Sequence, residues 1–452
     1  MDNMNLRDTY LSHQAAFSSP YELLRLLPFL PENERQGALL YAIASLSGTI
    51  DEAKRTRKRD ESGAPMEGKP GFAAYKRLGV PVSMFDEFLL ALDFPEEEEL
   101  AKARRKFKPK KEEAEIVEGD FVFVPFLDGL AVKKYRGLSG GEVRIPDYIQ
   151  DLEVLAVLPH AFYQIRAEKV LFPETLRFLC EESLASLYTR SVYFPEGLLY
   201  VGRRAFCRAA IEEITLPGST LVLDEEAFAL TSNLAKVTLP ENLLHIGPRA
   251  YAESGLKSII LPHKIAYLTA AFQRCPYLTE AVLPDGLAYI GDHCFDNCRE
   301  LKRVNLPRLL LEIGDYAFDT TMGVKSLSFP LGLRKIGAYA FRYFEAKDLS
   351  FPLSLLSIGE GAFHHAYLQR LNLNEGLEYL GPMSFAECSF LAWVSLPSSL
   401  RRIDMSAFFD EQAPTISYRG LMGEWKKVEK TDVLKKGKCS YSVKCHDGKA
   451  SF

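Results

Sequence analysis

Apolar and polar positions alternate with a period of two in short stretches along most of the chain, and each stretch ends at a proline. The stretches are rich in β-branched and bulky apolar residues, which is typical of short β strands. Proline donates no ladder hydrogen bond, so it marks the position where each strand ends. After a first interval of 27 residues the stretches recur every 22 or 23 residues, closing at Pro146, Pro173, Pro195, Pro217, Pro240, Pro262, Pro284, Pro307, Pro330, Pro352, Asn374 and Pro397.

Further columns of residues repeat in the same register. An apolar residue stands three and six positions after the proline, a glycine often follows, and an aromatic residue stands about eleven positions after the proline. The apolar pair predicts a second extended segment, the glycine a turn with positive φ, and the aromatic ring a filled interior. Because one repeat buries too little apolar surface to be stable alone, neighbouring repeats must stack. The pattern therefore predicts a mainly β solenoid of about twelve repeats of 22–23 residues.

The repeat resembles the BspA-like class of bacterial leucine-rich repeats. The stretch LPDGLAYIGDHCFDNCRELKRVN, which begins at Leu283, follows that unit almost position by position. The segments DGLAVKKYRGLSGGEVRIP (128–146), ISYRGLMGEWKKV (416–428) and VKCHDGKASF (443–452) resemble its opening and closing segments. The resemblance covers about residues 116–452, with departures at Leu184, in place of the aromatic residue, and at Asn374. It implies a leucine-rich-repeat solenoid that serves in binding or surface interaction, with varied partners.

The first 115 residues lack the repeat and show helical periodicity. Ser19, Pro20 and Glu22 form the N-cap, first-position and capping-box pattern of a helix start. Ser83 and Pro95 mark the starts of two further helices. We therefore expect a small all-α N-terminal domain at 1–115, an N-terminal solenoid cap at 116–145, the leucine-rich-repeat solenoid at 146–411 and a C-terminal cap at 412–452.

Composition and charge narrow the class of partner. Hydrophobic residues make up 47% of the chain and the formal net charge is −5, which does not favour nucleic acid or an acidic membrane as the main partner. The basic run Lys54–Arg59 is flanked by acidic residues, so we expect a solvated face there. No apolar run approaches the ~18 residues that span a bilayer. The start of the chain lacks the apolar core of a signal peptide, so we expect a cytoplasmic protein as numbered, or a cell-surface or secreted one if a leader was removed.

Candidate chemistry is sparse. Repeat-bound cysteines such as Cys275, Cys298 and Cys388 are expected to be buried ladder residues, and their spacing is not that of a usual zinc site. Cys439 and Cys445 lie in the closing segment, where an exported chain could form a disulfide; in a reducing cytosol they would stay thiols. Neither the neighbouring pair His364-His365 nor the scattered Ser and Asp residues form a nucleophile–base–orienter arrangement. We expect no enzyme activity, catalytic residue, metal site or cofactor.

Two surface columns are the candidate binding sites. In each strand the residue two before the proline should point to solvent, because its neighbours on either side are apolar core residues. Apolar members of this column could form a patch that binds a protein partner, although β propensity alone also explains them. This strand column is Arg144, Leu171, Tyr193, Thr215, Thr238, Ile260, Val282, Asn305, Ser328, Ser350, Asn372 and Ser395.

A second column lies five positions after the proline and is rich in aromatic residues. Stacked aromatic rings there could bind a glycan or a partner chain, or could only cover the edge of the coil. This aromatic column is Phe178, Tyr200, His245, Tyr267, Tyr289 and Tyr379. We expect a non-enzymatic protein-binding scaffold that uses the strand column; the alternative is an exported cell-surface adhesin or glycan-binding protein.

Overall fold

The computed structural model describes residues 21, 23–24, 27, 38–43, 46, 60, 64–66, 72–80, 115–138, 140–189, 191–346, 348–410, 413–432 and 442–451. The helix starts expected at Pro20, Ser83 and Pro95, the basic run Lys54–Arg59 and Cys439 lie outside these residues. The chain divides into two compact units. Unit 1 comprises Met1–Thr231 and Asn242–Ala250, and unit 2 comprises Ser232–Glu241 and Tyr251–Phe452.

Two kinds of short strand build both units. We call the strands that precede the prolines the proline strands, and those around the sixth position after each proline the second strands. Within each sheet, neighbouring strands of the same kind pair in parallel, in a register that follows the 22- or 23-residue repeat. The structure thus confirms a mainly β solenoid with about thirteen turns in the described residues.

Unit 1 opens with a three-stranded antiparallel meander, Ile116–Glu118, Phe121–Phe126 and Gly129–Tyr135. Its last strand pairs in parallel with the first of the second strands, which are Leu152–Val157, Phe178–Leu179, Tyr200–Val201, Val222–Leu223 and His245–Ile246. The proline strands of unit 1 are Glu142–Arg144, Lys169–Leu171, Ser191–Tyr193 and Glu213–Thr215, and Tyr148–Ile149 pairs antiparallel with Leu152–Val157. Among the described residues before 115, the chain is helical at 38–43 and in Phe72–Leu78.

Unit 2 contains strands of both kinds, which extend into the segment expected to be a C-terminal cap. Its proline strands are Lys236–Thr238, Ser258–Ile260, Glu280–Val282, Arg303–Val304, Asp348–Leu349, Arg370–Asn372 and Trp393–Leu396, followed by Thr415–Tyr418 and Ser442–Cys445 in the same sheet as the last of these and the antiparallel Gly448–Ser451. Its second strands are Tyr267–Leu268, Tyr289–Ile290, Glu312–Ile313, Lys335–Ile336, Ser357–Ile358, Tyr379–Leu380, Arg402–Asp404 and Glu429–Thr431, and the short helix is Met422–Trp425. Because Glu429–Thr431 pairs in parallel with Arg402–Asp404, the closing segment adds a turn to the repeats counted by proline.

The aromatic residues form the core, as the repeat predicts. In unit 1 the rings of Phe206 and Phe228 stack with their centroids 5.1 Å apart. In unit 2 the same relation holds from Phe295 to Phe318 at 5.3 Å and from Phe318 to Phe341 at 5.2 Å. In-register parallel coils place equivalent side chains above one another, so each ring packs on its counterpart in the next repeat.

The repeated glycines have a different role from the expected turn. Gly247 and Gly337 lie outside the positive-φ region, and the left-handed positions fall instead on residues flanking the aromatic ring, such as Arg204 and Arg208 around Phe206. A Cβ on Gly337 would lie 2.5 Å from the carbonyl carbon of Gly314 in the preceding coil. The expectation of a positive φ was therefore wrong at this column: glycine is required there because successive backbones approach too closely for a side chain.

Candidate functional site

In unit 1, the strand column presents an aromatic residue to solvent. Tyr193 is 60% exposed, and Leu171, which pairs with it across neighbouring strands, is half-buried. The ammonium group of Lys169 lies 5.0 Å from the centroid of the Tyr193 ring, so its charge lies beside the apolar surface. Thr215, the next member of the column, is exposed.

In unit 2, two β-branched apolar side chains of the strand column lie side by side. Ile260 is 71% exposed and Val282 is 41% exposed, and these two residues pair directly in a parallel ladder. We call Ile260 and Val282 the strand patch. Thr238 and Asn305 are exposed members of the same column. The Asn305 amide exchanges hydrogen bonds with the backbone of Leu283, donating to its carbonyl and accepting from its N–H at 2.8 Å each.

The remainder of the strand column in unit 2 is small and polar. Ser328, Ser350 and Asn372 are exposed, as the alternation predicts. Ser395 is an exception, because it is buried in the strand Trp393–Leu396, which pairs with a strand on each side. The apolar character of the column in this unit is therefore concentrated at the strand patch.

The aromatic column is largely covered. Phe178, Tyr200, His245 and Tyr267 are buried, and only Tyr289 and Tyr379 are half-exposed. In unit 1 the covering residue is Tyr21, whose ring centroid lies 5.1 Å from that of Phe178 and 6.1 Å from that of Tyr200. The Tyr21 hydroxyl also donates to the Cys180 sulfur at 3.4 Å. Tyr21 thus covers part of the surface on which stacked rings were expected to meet a ligand.

A buried charge pair fixes a second N-terminal residue to the same face. Both terminal nitrogens of the Arg77 guanidinium donate to the Asp224 carboxylate, the Nη2–Oδ2 distance being 2.5 Å. The Tyr200 hydroxyl donates to the same carboxylate at 2.5 Å. Burial alone would raise the pKa of Asp224, but the charge and hydrogen bonds of Arg77 hold it below its usual value. Burial lowers the pKa of the neighbouring His245 to about 4, against the attraction of Asp224.

This pair was missed in the sequence, although the repeat contained a signal. Asp224 stands seven positions after Pro217, in the column where other repeats carry glycine, and the same repeat carries Thr220 in the leucine column. Both departures are buried polar residues. A charged residue in the core column of a solenoid requires a partner, and the partner lies 147 residues away in the sequence.

A second cluster joins residues of two successive coils in unit 2. The Nε2 atom of His364 lies 3.6 Å from Oε1 of Glu387, and the Nε2 atom of His365 lies 3.2 Å from Oε2 of the same side chain. Burial and the neighbouring His365 ring lower the pKa of His364. From the sequence, the histidine pair was expected to carry no chemistry, because it showed no nucleophile–base–orienter arrangement. However, the repeat places Glu387 in the same column as His365, 22 residues later.

Exposed leucines form another apolar feature that the strand pattern did not indicate. They occupy the turns just after the prolines, where Leu331 is 88% exposed and Leu353 and Leu309 are also exposed. Turn residues carry no period-two signal, so the alternation of apolar and polar positions does not indicate them. These leucines provide a comparison surface for any test of the strand patch.

The cysteines of the repeat are structural. Cys275 and Cys298 are buried, and their thiols donate at 3.0 Å to the carbonyl oxygens of Tyr251 and Phe272 in the preceding coils. Cys388 repeats this contact with Phe363 at 3.3 Å. These contacts confirm the expectation of buried ladder residues. Cys445 is buried as well, whereas Cys439 lies outside the described residues.

Within the described ranges, none of the helices has the length and apolar character needed to cross a bilayer. A family model described as BspA type leucine rich repeat region matches residues 157–270, 269–342 and 312–424. These matches extend over more than half of the chain. A comparison with curated proteins finds no match.

Several solved structures of bacterial proteins match the chain. A leucine rich cell surface protein from Faecalibacterium prausnitzii is 20% identical, with 71% of this chain and 98% of that chain covered and a TM-score of 0.39. A leucine-rich repeat protein from Bacteroides ovatus is 18% identical, with 70% and 90% covered and a TM-score of 0.47. The pneumococcal vaccine antigen PcpA is 18% identical, with 72% and 99% covered and a TM-score of 0.48. On the family match and the repeat geometry together, the chain belongs to the BspA-type leucine-rich repeat family.

Proposed function

We propose that the chain is a non-enzymatic scaffold that binds a protein partner through the exposed face of its proline strands. The strand patch carries this proposal, because Ile260 and Val282 expose adjacent branched apolar side chains on a paired ladder. Adjacent apolar groups held in fixed positions lose little conformational entropy on binding, so their desolvation favours association.

Polar groups surround the strand patch in the manner of an interface rim. Glu280 lies on the same strand and face as Val282, and its carboxylate accepts hydrogen bonds from the Arg303 guanidinium at 2.7 and 3.0 Å. Thr238 and Asn305 border the patch along the column. An apolar centre with a charged and polar rim is typical of surfaces that bind proteins reversibly.

The surface of unit 1 supports the same function through a different residue type. Tyr193 with Lys169 beside its ring offers a large, rigid contact area and a positive charge. Tyrosine is among the residues enriched at the energetic centres of protein interfaces. Leu171, Tyr193 and Thr215 therefore remain proposed contact residues, as do Thr238, Ile260, Val282 and Asn305 in unit 2.

Affinity capture with the full chain tests the proposal. We expect the double variant Ile260→Glu with Val282→Glu to reduce capture of the partner at least about tenfold, because it places two charges in a desolvated contact. The matched control is Ser328→Glu, which adds a charge at an exposed position of the same column. Both variants change exposed side chains, so their melting temperatures should stay close to that of the wild type. Undiminished capture by the double variant would refute the proposed site.

An exported adhesin or glycan-binding protein is the alternative function. It would use the aromatic column, of which Tyr289 and Tyr379 are half-exposed, whereas Tyr200, His245 and Tyr267 are buried. The column therefore supports glycan binding less than the strand face supports protein binding. Cell fractionation separates the two functions, since a purely cytosolic pool excludes a surface adhesin. Binding to a glycan array that is lost in Tyr289→Ala and Tyr379→Ala would instead favour the alternative.

A further inference from the structure

Two histidines and a glutamate converge on one point of unit 2. The ligand atoms of His364, His365 and Glu387 all lie within 4.8 Å of one another. The Glu387 carboxylate directs one oxygen to each imidazole, at 3.6 Å from His364 and 3.2 Å from His365. Imidazole nitrogen and carboxylate oxygen are the donors that zinc-like divalent ions prefer when thiolates are absent from the site.

The solenoid backbone holds the three side chains in place. His365 and Glu387 each stand two residues after a core phenylalanine, and both have left-handed φ values, 60° and 53°. The His365 N–H donates to the carbonyl of Ala386 in the next coil at 3.0 Å. The His365 ring stacks on Tyr343 with centroids 4.8 Å apart and an angle of 5° between the planes. The arrangement is therefore pre-organised by the repeat.

The distances suit a metal ion. In a tetrahedral site with metal–ligand bonds of about 2.0–2.2 Å, neighbouring ligand atoms lie roughly 3.3–3.6 Å apart. The two nitrogen–oxygen distances, 3.2 and 3.6 Å, lie close to that range and run to the two different oxygens of the Glu387 carboxylate. The three ligand atoms all lie within 4.8 Å of one another. We propose that His364, His365 and Glu387 form a binding site for a divalent transition-metal ion of the zinc class.

The environment of His364 supports the same assignment. Both of its ring nitrogens are buried, and neither has a hydrogen-bond partner in the part of the chain that the structure describes. A buried polar atom without a partner costs free energy, and coordination of Nε2 to a metal would remove that cost for one nitrogen. The positive charge of the nearby Arg342 is compensated, because its guanidinium donates to Asp319 at 2.7 and 2.9 Å.

Three protein ligands leave a coordination position for solvent or for a ligand from outside. His365 and Glu387 are partly exposed, so this position faces the surface of unit 2. Three-ligand sites with an open position differ from the closed four-ligand sites that only stabilise a fold. We therefore assign an accessible metal site to this cluster, separate from the strand patch and independent of the proposed protein-binding function.

Calorimetric titration of the chelator-treated full chain with Zn²⁺ tests the assignment. We expect a site that is lost or weakened at least about tenfold in His365→Ala and in the isosteric Glu387→Gln. His263→Ala is the matched control. His263 also lies beside a carboxylate, that of Glu241 at 3.1 Å, but it belongs to no group of three potential metal ligands among the described residues. Circular dichroism of each variant reports whether it is folded.

Cobalt(II) gives a second measurement, which reports the coordination geometry of the bound ion. A tetrahedral site with nitrogen and oxygen ligands should give a strong visible absorption band in the wild type, and Glu387→Gln should remove it. Equal Zn²⁺ binding by the wild type, His365→Ala and Glu387→Gln would overturn the proposal, as would the lack of any Zn²⁺ binding by the folded wild type.

Discussion

The ion pair between Arg77 and Asp224 is a single-residue contact that joins two distant parts of the sequence within unit 1. Asp224 is fully buried, and it accepts hydrogen bonds from Arg77 and Tyr200. A buried carboxylate is tolerated only when its charge and lone pairs are satisfied. The pair therefore links a residue of Phe72–Leu78 to the interior of a coil in unit 1.

Removal of Arg77 should destabilise unit 1 strongly. We expect Arg77→Ala to lower the free energy of unfolding by about 3–5 kcal/mol, because it leaves the Asp224 carboxylate buried without its partner. Differential scanning calorimetry should show a lower melting temperature. The control Arg144→Ala removes an exposed ion pair with Glu142 and should change stability by less than about 1 kcal/mol. Equal effects of the two substitutions would show that the buried pair does not stabilise unit 1.

The burial of His245 gives a pH dependence of stability. Its pKa is about 4 in the folded chain and 6.5 for the ordinary side chain. Between these values the unfolded chain binds more protons than the folded chain. The contribution of His245 to the free energy of unfolding is therefore complete above pH 6.5 and is lost as the pH falls towards 4. When the pH falls from about 7.5 to about 5, His245 should lower the free energy of unfolding by about 2 kcal/mol.

The measurement is the unfolding free energy as a function of pH for the wild type and for His245→Gln. The variant should lose less stability on acidification, whatever its stability at neutral pH. The exposed Ser328 provides the control, since Ser328→Gln removes no titratable group and should keep the wild-type slope. The same slope in His245→Gln and the wild type would contradict the burial of a neutral imidazole.

The proline strands were predictable from the sequence, whereas the role of the glycine column was not. The proline strands, the leucine columns and the phenylalanine ladder follow directly from the period of apolar residues, because in-register stacking repeats the same contacts. The role of Gly337 did not follow from this period. Its sequence signal is equally compatible with a turn of positive φ and with close approach of two backbones, and only the distance to Gly314 distinguishes them.

A side chain at the glycine column should disrupt the stacking of coils. A Cβ at Gly337 would lie 2.5 Å from the carbonyl carbon of Gly314, so we expect Gly337→Ala to destabilise unit 2 by about 1–3 kcal/mol. Gly286→Ala is the control, because its added Cβ would meet the His263 carbonyl oxygen at an ordinary 3.5 Å. Thermal unfolding measures both variants. A Gly337→Ala protein as stable as Gly286→Ala would indicate that the coils can separate without cost.

On the scale of the whole chain, the repeat predicts which residues share a column but not which columns are covered. Tyr200 and Tyr289 occupy equivalent positions in the sequence, yet the first is buried and the second half-exposed. Tyr200 is buried because the Tyr21 ring packs against it and its hydroxyl donates to Asp224. Tyr21 belongs to the part of the sequence that lacks the repeat. Long-range contacts of this kind leave no periodic signal. The strand patch was predictable because alternation alone directs Ile260 and Val282 outward.

Site-specific photo-crosslinking tests the central claim, that the proline-strand face binds a protein partner. A photoreactive phenylalanine analogue would replace Ile260 in one full-length protein and Leu331, an exposed turn residue of the same unit, in another. After irradiation with the partner-containing extract, we predict a discrete crosslinked species from position 260 and none from position 331. Crosslinking from position 331 without any from position 260 would contradict the claim.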